Sequence, residues 1–260
     1  LAMPTDEAAI SALVREAAVA GATVRVAGSG HSFTPLCAAD GVLVSLDGLQ
    51  GFVGIAPPEL VKGDAIPTGK ATFWAGTKLH QVGEPLWDVG LAMANMGDID
   101  RQALAGAVST GTHGTGPTLG SISTQVVGLR LVLASGEIVD CSPDQEPALF
   151  QAAQVSLGAL GIITQVTLRC LPAYRLHERT WVAGFEECMS QLDGLIAANR
   201  HFEFFWVPSE DVCAMKTLNP TMAERLDTPY RPTVTGRLTR YVHDERIDRS
   251  YRIFPSERNL

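Results

Sequence analysis

The chain has 260 residues, 46% of them hydrophobic and 18% charged, enough to bury a core in one large or two smaller domains. Its net charge of −8 favours neither nucleic acid nor an anionic membrane surface as a partner. No apolar run reaches the roughly 20 residues of a membrane-spanning helix. No signal peptide is visible, and a start at Leu1 rather than methionine reads as a trimmed or fragmentary beginning. The five cysteines are scattered, without a Cys-x-x-Cys pair. That argues for a reducing, cytoplasmic compartment rather than a disulfide framework. The six histidines show no metal-ligand spacing, so no metal is expected.

Thr5 is placed to cap a first helix running to Ala20, with Asp6 and Glu7 in its opening turn and Gly21 as its stop. Ile10, Leu13, Val14, Ala17 and Ala18 share its apolar face. The short apolar run Val24–Ala27 then reads as a buried strand ending in Gly28-Ser29-Gly30. Two glycines around a serine let successive backbone N–H groups converge on one point, which suits an anion such as phosphate. His31 follows directly, with the hydroxyls of Ser32 and Thr34 beside it. A Rossmann fingerprint is excluded, because Phe33 stands where its third glycine belongs and Pro35 interrupts any helix. A tight turn with an exposed histidine is the plainer alternative that the residues alone leave open.

Further strands are expected over Val42–Leu46 and Phe52–Ile55, with a turn-rich excursion over Pro57–Gly69. Thr77 is placed to cap a helix through Leu79, Val82, Leu86 and Val89, shortened or broken at Pro85. The run Ala105–Gly116 combines small residues, four glycines, three threonines and His113. It is either a flexible loop or a place where backbone comes close to a large planar ligand. A hairpin over Val127–Val139 follows, turning at Ser135-Gly136. Next come a helix over Glu146–Leu157 and a β-branched strand over Gly161–Leu168, including Ile162 and Ile163. After Pro172 a helix from Phe185 to Asn199 precedes an aromatic strand over Phe202–Pro208, and the chain from Leu218 to Tyr241 is polar and proline-interrupted.

Gly28-Ser29-Gly30-His31-Ser32-Phe33 resembles the flavin-attachment loop of the FAD-linked aldonolactone and alditol oxidases, in the vanillyl-alcohol-oxidase superfamily. Gly111-Thr112-His113-Gly114 resembles that family's second cofactor segment, and Gly161-Ile162-Ile163-Thr164 resembles its flavin-facing strand. The resemblance implies an α+β fold: a two-subdomain PCMH-type FAD-binding domain over residues 1–172, lacking its N-terminal edge. Part of an α+β substrate (cap) domain would follow over residues 173–260, its C-terminal part missing. Tyr251–Arg258 resembles the stretch just before a substrate-binding strand.

Carried onto this sequence, the resemblance implies that Ala27, Gly28, Ser29, Gly30 and Ser32 hold FAD and that His31 bonds covalently to its 8α-methyl. Ala103, Gly106, Thr110, Gly111, Thr112, His113 and the backbone of Ile162 would line the cofactor, with Gly97 beside the ring edge that meets oxygen. Asp98 would be catalytic, at a position near flavin and substrate where alditol oxidases have serine, and this departure favours a lactone. The implied reaction is oxidation of a CH–OH group of an aldonolactone such as arabinono- or gulono-1,4-lactone. Oxygen, giving hydrogen peroxide, or another acceptor would take the electrons. The expected location is cytoplasmic, with peripheral membrane attachment left open. An alditol oxidase, a non-catalytic FAD-binding fragment, and a binding protein for another phosphorylated ligand are the alternatives.

Overall fold

The computed structural model describes residues 1–59 and 66–223. Residues 60–65 of the Pro57–Gly69 excursion, residues 224–241 of the polar stretch and Tyr251–Arg258 lie outside the described residues, whereas Pro57–Glu59, Thr68–Gly69 and Leu218–Thr221 are strand rather than turn or loop. Helix α1 spans Glu7–Val19, and its cap is Asp6 rather than Thr5. The Asp6 carboxylate accepts from the Ala9 N–H at 2.7 Å, which satisfies one of the donors a helix start leaves open. Ile10, Val14 and Ala17, spaced along one stripe, are buried, whereas Ala18 is exposed.

Strands β1 (Val24–Ala27) and β2 (Val42–Ser45) pair in parallel, Val24 opposite Val42 and Ala27 opposite Ser45. Parallel partners need a crossover, and here residues 28–41 supply it as irregular chain without a helix. The histidine loop is that crossover.

The main sheet is antiparallel. It contains β3 (Phe52–Glu59), β4 (Thr68–Trp74), the short β5 (Leu91–Ala92), β6 (Val126–Val132), β7 (Ile138–Cys141) and β8 (Ile162–Pro172). Its strand order is β3-β4-β8-β6-β7, with β5 paired to the far end of β8. Central β8 packs Ile162, Ile163, Val166, Leu168 and Cys170 into the core, together with Phe73, Leu104 and Leu131.

Between these strands lie a 3-10 turn (Leu79–Gln81) and helices α2 (Gly83–Asp88), α3 (Leu104–Ser109) and α4 (Pro147–Ala153). Thr77 caps no helix. Its hydroxyl is buried, donating to the Trp74 carbonyl at 2.6 Å and accepting from the Gly51 N–H at 2.9 Å. Pro85 falls in the first turn of α2, where its missing N–H costs no helical bond. Helix α4 stops at Ala153, short of Leu157, and the chain turns left-handed only further on, at Leu157 (φ 52°) and Gly158 (φ 73°).

A second, smaller sheet follows: β9 (Arg175–Gly184), β10 (His201–Val207) and β11 (Val212–Thr221), in the order β10-β11-β9 and antiparallel. Helix α5 (Phe185–Ala198) covers one face, burying Cys188 against Ala183, Cys213 and Met215. Strands β9 and β11 were not expected from sequence. No helix among the described residues is long and apolar enough to cross a membrane.

Candidate cofactor site

The glycine turn after β1 faces the start of α3 across an open cleft of about 310 Å³, at the lower end of the range for small-molecule sites (about 300–1,000 Å³). Gly28 and Gly106 meet across its floor. A Cβ on Gly28 would stand 4.0 Å from the Gly106 Cα, and a Cβ on Gly106 would meet nothing within 4 Å. Two side chains here would fill the space between the walls, so the glycines keep a cradle open.

Of the residues expected to hold cofactor, Ala27, Gly28, Ser29, Gly30, His31 and Ser32 form one wall of the cleft, and Ala103, Gly106 and Thr110 the other. His31 is half-buried, with the Phe33 ring edge-on at 6.2 Å. Phe33 itself has a φ of 52° and is 90% exposed. Gly97, Asp98, Gly111, Thr112, His113 and Ile162 lie outside this wall. Both Ile162 and Ile163 of β8 are buried in the core, and it is Ile163, not Ile162, that also lines the cleft.

The Gly111–Gly114 segment has a structural account of its own. The Gly111 N–H bonds the Val108 carbonyl at 3.2 Å and the Thr112 N–H bonds the Ala107 carbonyl at 3.0 Å. With Gly111 at φ 67°, this is the left-handed motif that closes α3. Thr112 Oγ1 accepts from Gln102 Nε2 at 3.0 Å, and Gln102 lines the cleft. Gly97 packs against the same segment, since a Cβ there would stand 3.0 Å from the His113 carbonyl oxygen. Asn95 holds the two stretches together, donating to the carbonyls of Thr115 (3.2 Å) and Gly120 (3.1 Å).

Asp98 sits at the junction with the smaller sheet. Its carboxylate is 38% exposed and lies 3.5 Å from Lys216 Nζ on β11; Lys216 also pairs with Glu203 of β10. Burial disfavours the Lys216 charge, yet Asp98 and Glu203 outweigh it and hold the ammonium well above the usual lysine range. Burial pushes the Glu203 carboxyl up, partly offset by Lys216. Beside them His201 is 2% exposed, and burial with help from Arg200 pushes it down to about 4. Its Nδ1 lies 3.2 Å from the Thr115 hydroxyl, and Arg200 donates to the Ala94 carbonyl at 2.9 Å. The segment of residues 94–98 and Thr115 thus carries the smaller sheet.

Asp47, Lys78 and Gln102 also line the cleft and carry no local sequence signal. Lys78 Nζ donates to Ser29 Oγ at 3.1 Å and to Asp47 Oδ1 at 2.7 Å. The Asp47 carboxyl is held below its usual range, chiefly by that bond from Lys78. A glycine turn, hydroxyls and one ammonium along one cleft suit a phosphate-bearing ligand. No cluster of three or more metal-ligating side chains occurs among the described residues.

Residues 1–142 match the family described as FAD binding domain, and residues 166–260 match D-arabinono-1,4-lactone oxidase. The chain is 38% identical over 226 residues to L-gulono-1,4-lactone dehydrogenase of Mycobacterium tuberculosis, covering 87% of this chain and 50% of that one. It is also 38% identical over 257 residues to D-arabinono-1,4-lactone oxidase of Yarrowia lipolytica, covering 97% of this chain and 47% of that one. It therefore spans about half the length of these relatives. Among solved structures, cholesterol oxidase from Brevibacterium sterolicum superposes with a TM-score of 0.74 at 19% identity, over 93% of this chain and 48% of that one. A 6-hydroxy-D-nicotine oxidase from Arthrobacter nicotinovorans gives 0.65 at 21%, over 86% and 49%. These two share the fold, an α+β PCMH-type arrangement. The glycine-floored cleft beneath the histidine loop is built mostly from residues of the first match, with Leu157, Gly158, Gly161 and Ile163 completing it, its cofactor is FAD, and the chain belongs to the FAD-binding domain family.

Proposed function

We propose that the chain is the flavin module and part of the substrate module of an FAD-dependent oxidoreductase acting on a CH–OH group of a sugar-derived 1,4-lactone, the division falling between residues 172 and 173. What carries this reading is the joining of the cleft to a second segment that matches D-arabinono-1,4-lactone oxidase over residues 166–260. The names of the two relatives, a gulono- and an arabinono-1,4-lactone enzyme, point to the same substrate class.

FAD, when bound, supplies a two-electron acceptor for oxidation of the alcohol carbon. Gly28 and Gly106 admit the cofactor, and the amides of Gly28–Ser32 bind its diphosphate. His31, half-buried in the wall, is the point of covalent attachment, because a neutral imidazole nitrogen is a competent nucleophile. Asp98 meets the substrate hydroxyl with the exposed part of its carboxylate and takes its proton, while Lys216 holds the other side in place. Gly97, Gly111, Thr112, His113 and Ile162 support the flavin through the backbone of their segments. Oxygen or another acceptor takes the electrons. A cytoplasmic location fits five free cysteines.

Two measurements on the same preparation test this reading. Acid-precipitated protein should stay yellow, with the flavin mass on the tryptic peptide that contains His31. L-Gulono- or D-arabinono-1,4-lactone added without oxygen should bleach the colour, whereas an alditol should not. Flavin released wholly into the supernatant removes the tether; colour unmoved by either lactone removes the activity.

A further inference from the structure

The geometry points to Lys78 as the cation that neutralises the diphosphate of FAD, held ready at the glycine turn by Ser29 and Asp47. The inference rests on the FAD-binding reading and adds a residue to it. A diphosphate brings about two negative charges, and backbone amides answer them only with partial charges. The charged or titratable side chains along the cleft are Arg25, His31, Cys37, Asp47 and Lys78, and of these only Arg25 and Lys78 carry a fixed positive charge. Arg25 is exposed on β1. Lys78 is 20% exposed, and its ammonium lies 3.1 Å from the hydroxyl in the middle of Gly28-Ser29-Gly30.

An ammonium has three donors. Ser29 and Asp47 engage two, leaving one for an anion in the cleft that Lys78 lines. Asp47 explains why the lysine waits there. A carboxylate in a phosphate-binding cleft repels the ligand unless a cation covers it, and the 2.7 Å bond to Lys78 provides the cover. The same bond fixes a long, flexible side chain before the cofactor arrives, so less rotamer freedom is lost on binding. Lys78 is itself anchored at its backbone, where its N–H donates to Gln81 Oε1 at 2.8 Å at the start of the 3-10 turn.

The test uses apoprotein of the full chain, prepared from riboflavin-limited cells. Calorimetric titration with ADP probes the diphosphate without the flavin, and fluorescence titration with riboflavin probes the ring without the diphosphate. Lys78→Gln keeps a donor near Ser29 and Asp47 but removes the charge; Lys78→Arg restores it. We expect Lys78→Gln to weaken ADP and FAD by about tenfold or more, to flatten the salt dependence of ADP binding, and to leave riboflavin unchanged. Lys78→Arg should recover most of the loss. Equal ADP affinity in Lys78→Gln and wild type overturns the assignment. Equal losses for ADP and riboflavin make Lys78 a brace of the loop, and a loss seen in Arg25→Gln instead moves the role to Arg25. Wild-type chain that takes up neither FAD nor ADP rejects the FAD-binding reading itself.

Discussion

The carboxylate of Asp98 stands 3.5 Å from the ammonium of Lys216, tying the turn after Met96 to the middle of β11. Lys216 faces Glu203 across the β10–β11 pair, so one half-buried lysine serves a carboxylate from each side of the junction. Removing the lysine should be far costlier than removing Asp98. Lys216→Met leaves the largely covered Glu203 without its cation; a fully buried pair broken this way costs about 3–5 kcal/mol, and this half-buried one should cost somewhat less. Asp98→Asn, at a part-exposed position, should cost under about 1 kcal/mol. Urea unfolding of both variants at pH 7 checks the ranking. If Asp98 also meets the substrate hydroxyl, Asp98→Asn should keep its flavin content while turnover with lactone falls; unchanged turnover would leave Asp98 as a tie between modules only.

The lysine variant carries a pH signature as well. Lys216 lowers the Glu203 carboxyl, so Lys216→Met raises it further above its unfolded value. A raised carboxyl stabilises the fold below its unfolded titration range and loses that contribution as pH rises through the folded one. The stability gap between Lys216→Met and wild type should therefore narrow from pH 7 to pH 5. A gap that widens would contradict the buried pairing.

Gly106 and Gly111 separate cofactor space from backbone need. Gly106 is helical, and a Cβ there meets nothing within 4 Å. Alanine at such a site should favour the helix by up to about 1 kcal/mol while intruding on the cleft. We expect Gly106→Ala to raise the melting temperature of the apoprotein and weaken FAD, with Gly106→Val excluding it. Gly111, at φ 67°, should behave in the opposite way. Gly111→Ala imposes a left-handed conformation that costs about 1–2 kcal/mol, so melting temperature falls while folded protein keeps its flavin. Loss of flavin from fully folded Gly111→Ala would instead set Gly111 against the cofactor.

His201 should make the junction acid-sensitive. Its folded value of about 4 lies below the ordinary 6.5, so between those limits the unfolded chain binds the extra proton. Stability then rises with pH across that window and is lost as pH falls through it, by up to about 3 kcal/mol for the full shift. Glu203 acts in the opposite sense, and comparison with His201→Gln isolates the histidine. Thermal melts at pH 7 and 4.5 should show a larger drop for wild type than for His201→Gln. Equal drops would mean that His201 is not kept neutral by the fold.

The sequence by itself determined the features that depend on near neighbours. Gly28-Ser29-Gly30-His31 announces a turn and an anion site because glycine content and a serine hydroxyl act within a few residues. Alternation in β8 and the spacing of Ile10, Val14 and Ala17 announce their strand and helix for the same reason. Chain-order errors were local competitions: Asp6 displaced Thr5 as cap, and Thr77 spent its hydroxyl on Trp74 and Gly51 rather than on a helix.

Only the tertiary structure decided which of these features share one space. Lys78, Asp47 and Ser29 lie on three separate segments, and no pattern in any of them shows that they converge. Strand alternation sets Ile162 and Ile163 facing opposite ways, and only the packed fold places the cleft beside Ile163. The Gly111–Gly114 segment carries a strong motif, but its glycine at φ 67° ends a six-residue helix, a role set by backbone bonds that composition does not reveal. Asp98 likewise acquires its partner from β11, 118 residues away in sequence. Short-range propensity writes turns and strands into the chain, whereas burial, charge pairing and close backbone approach are properties of the packed whole.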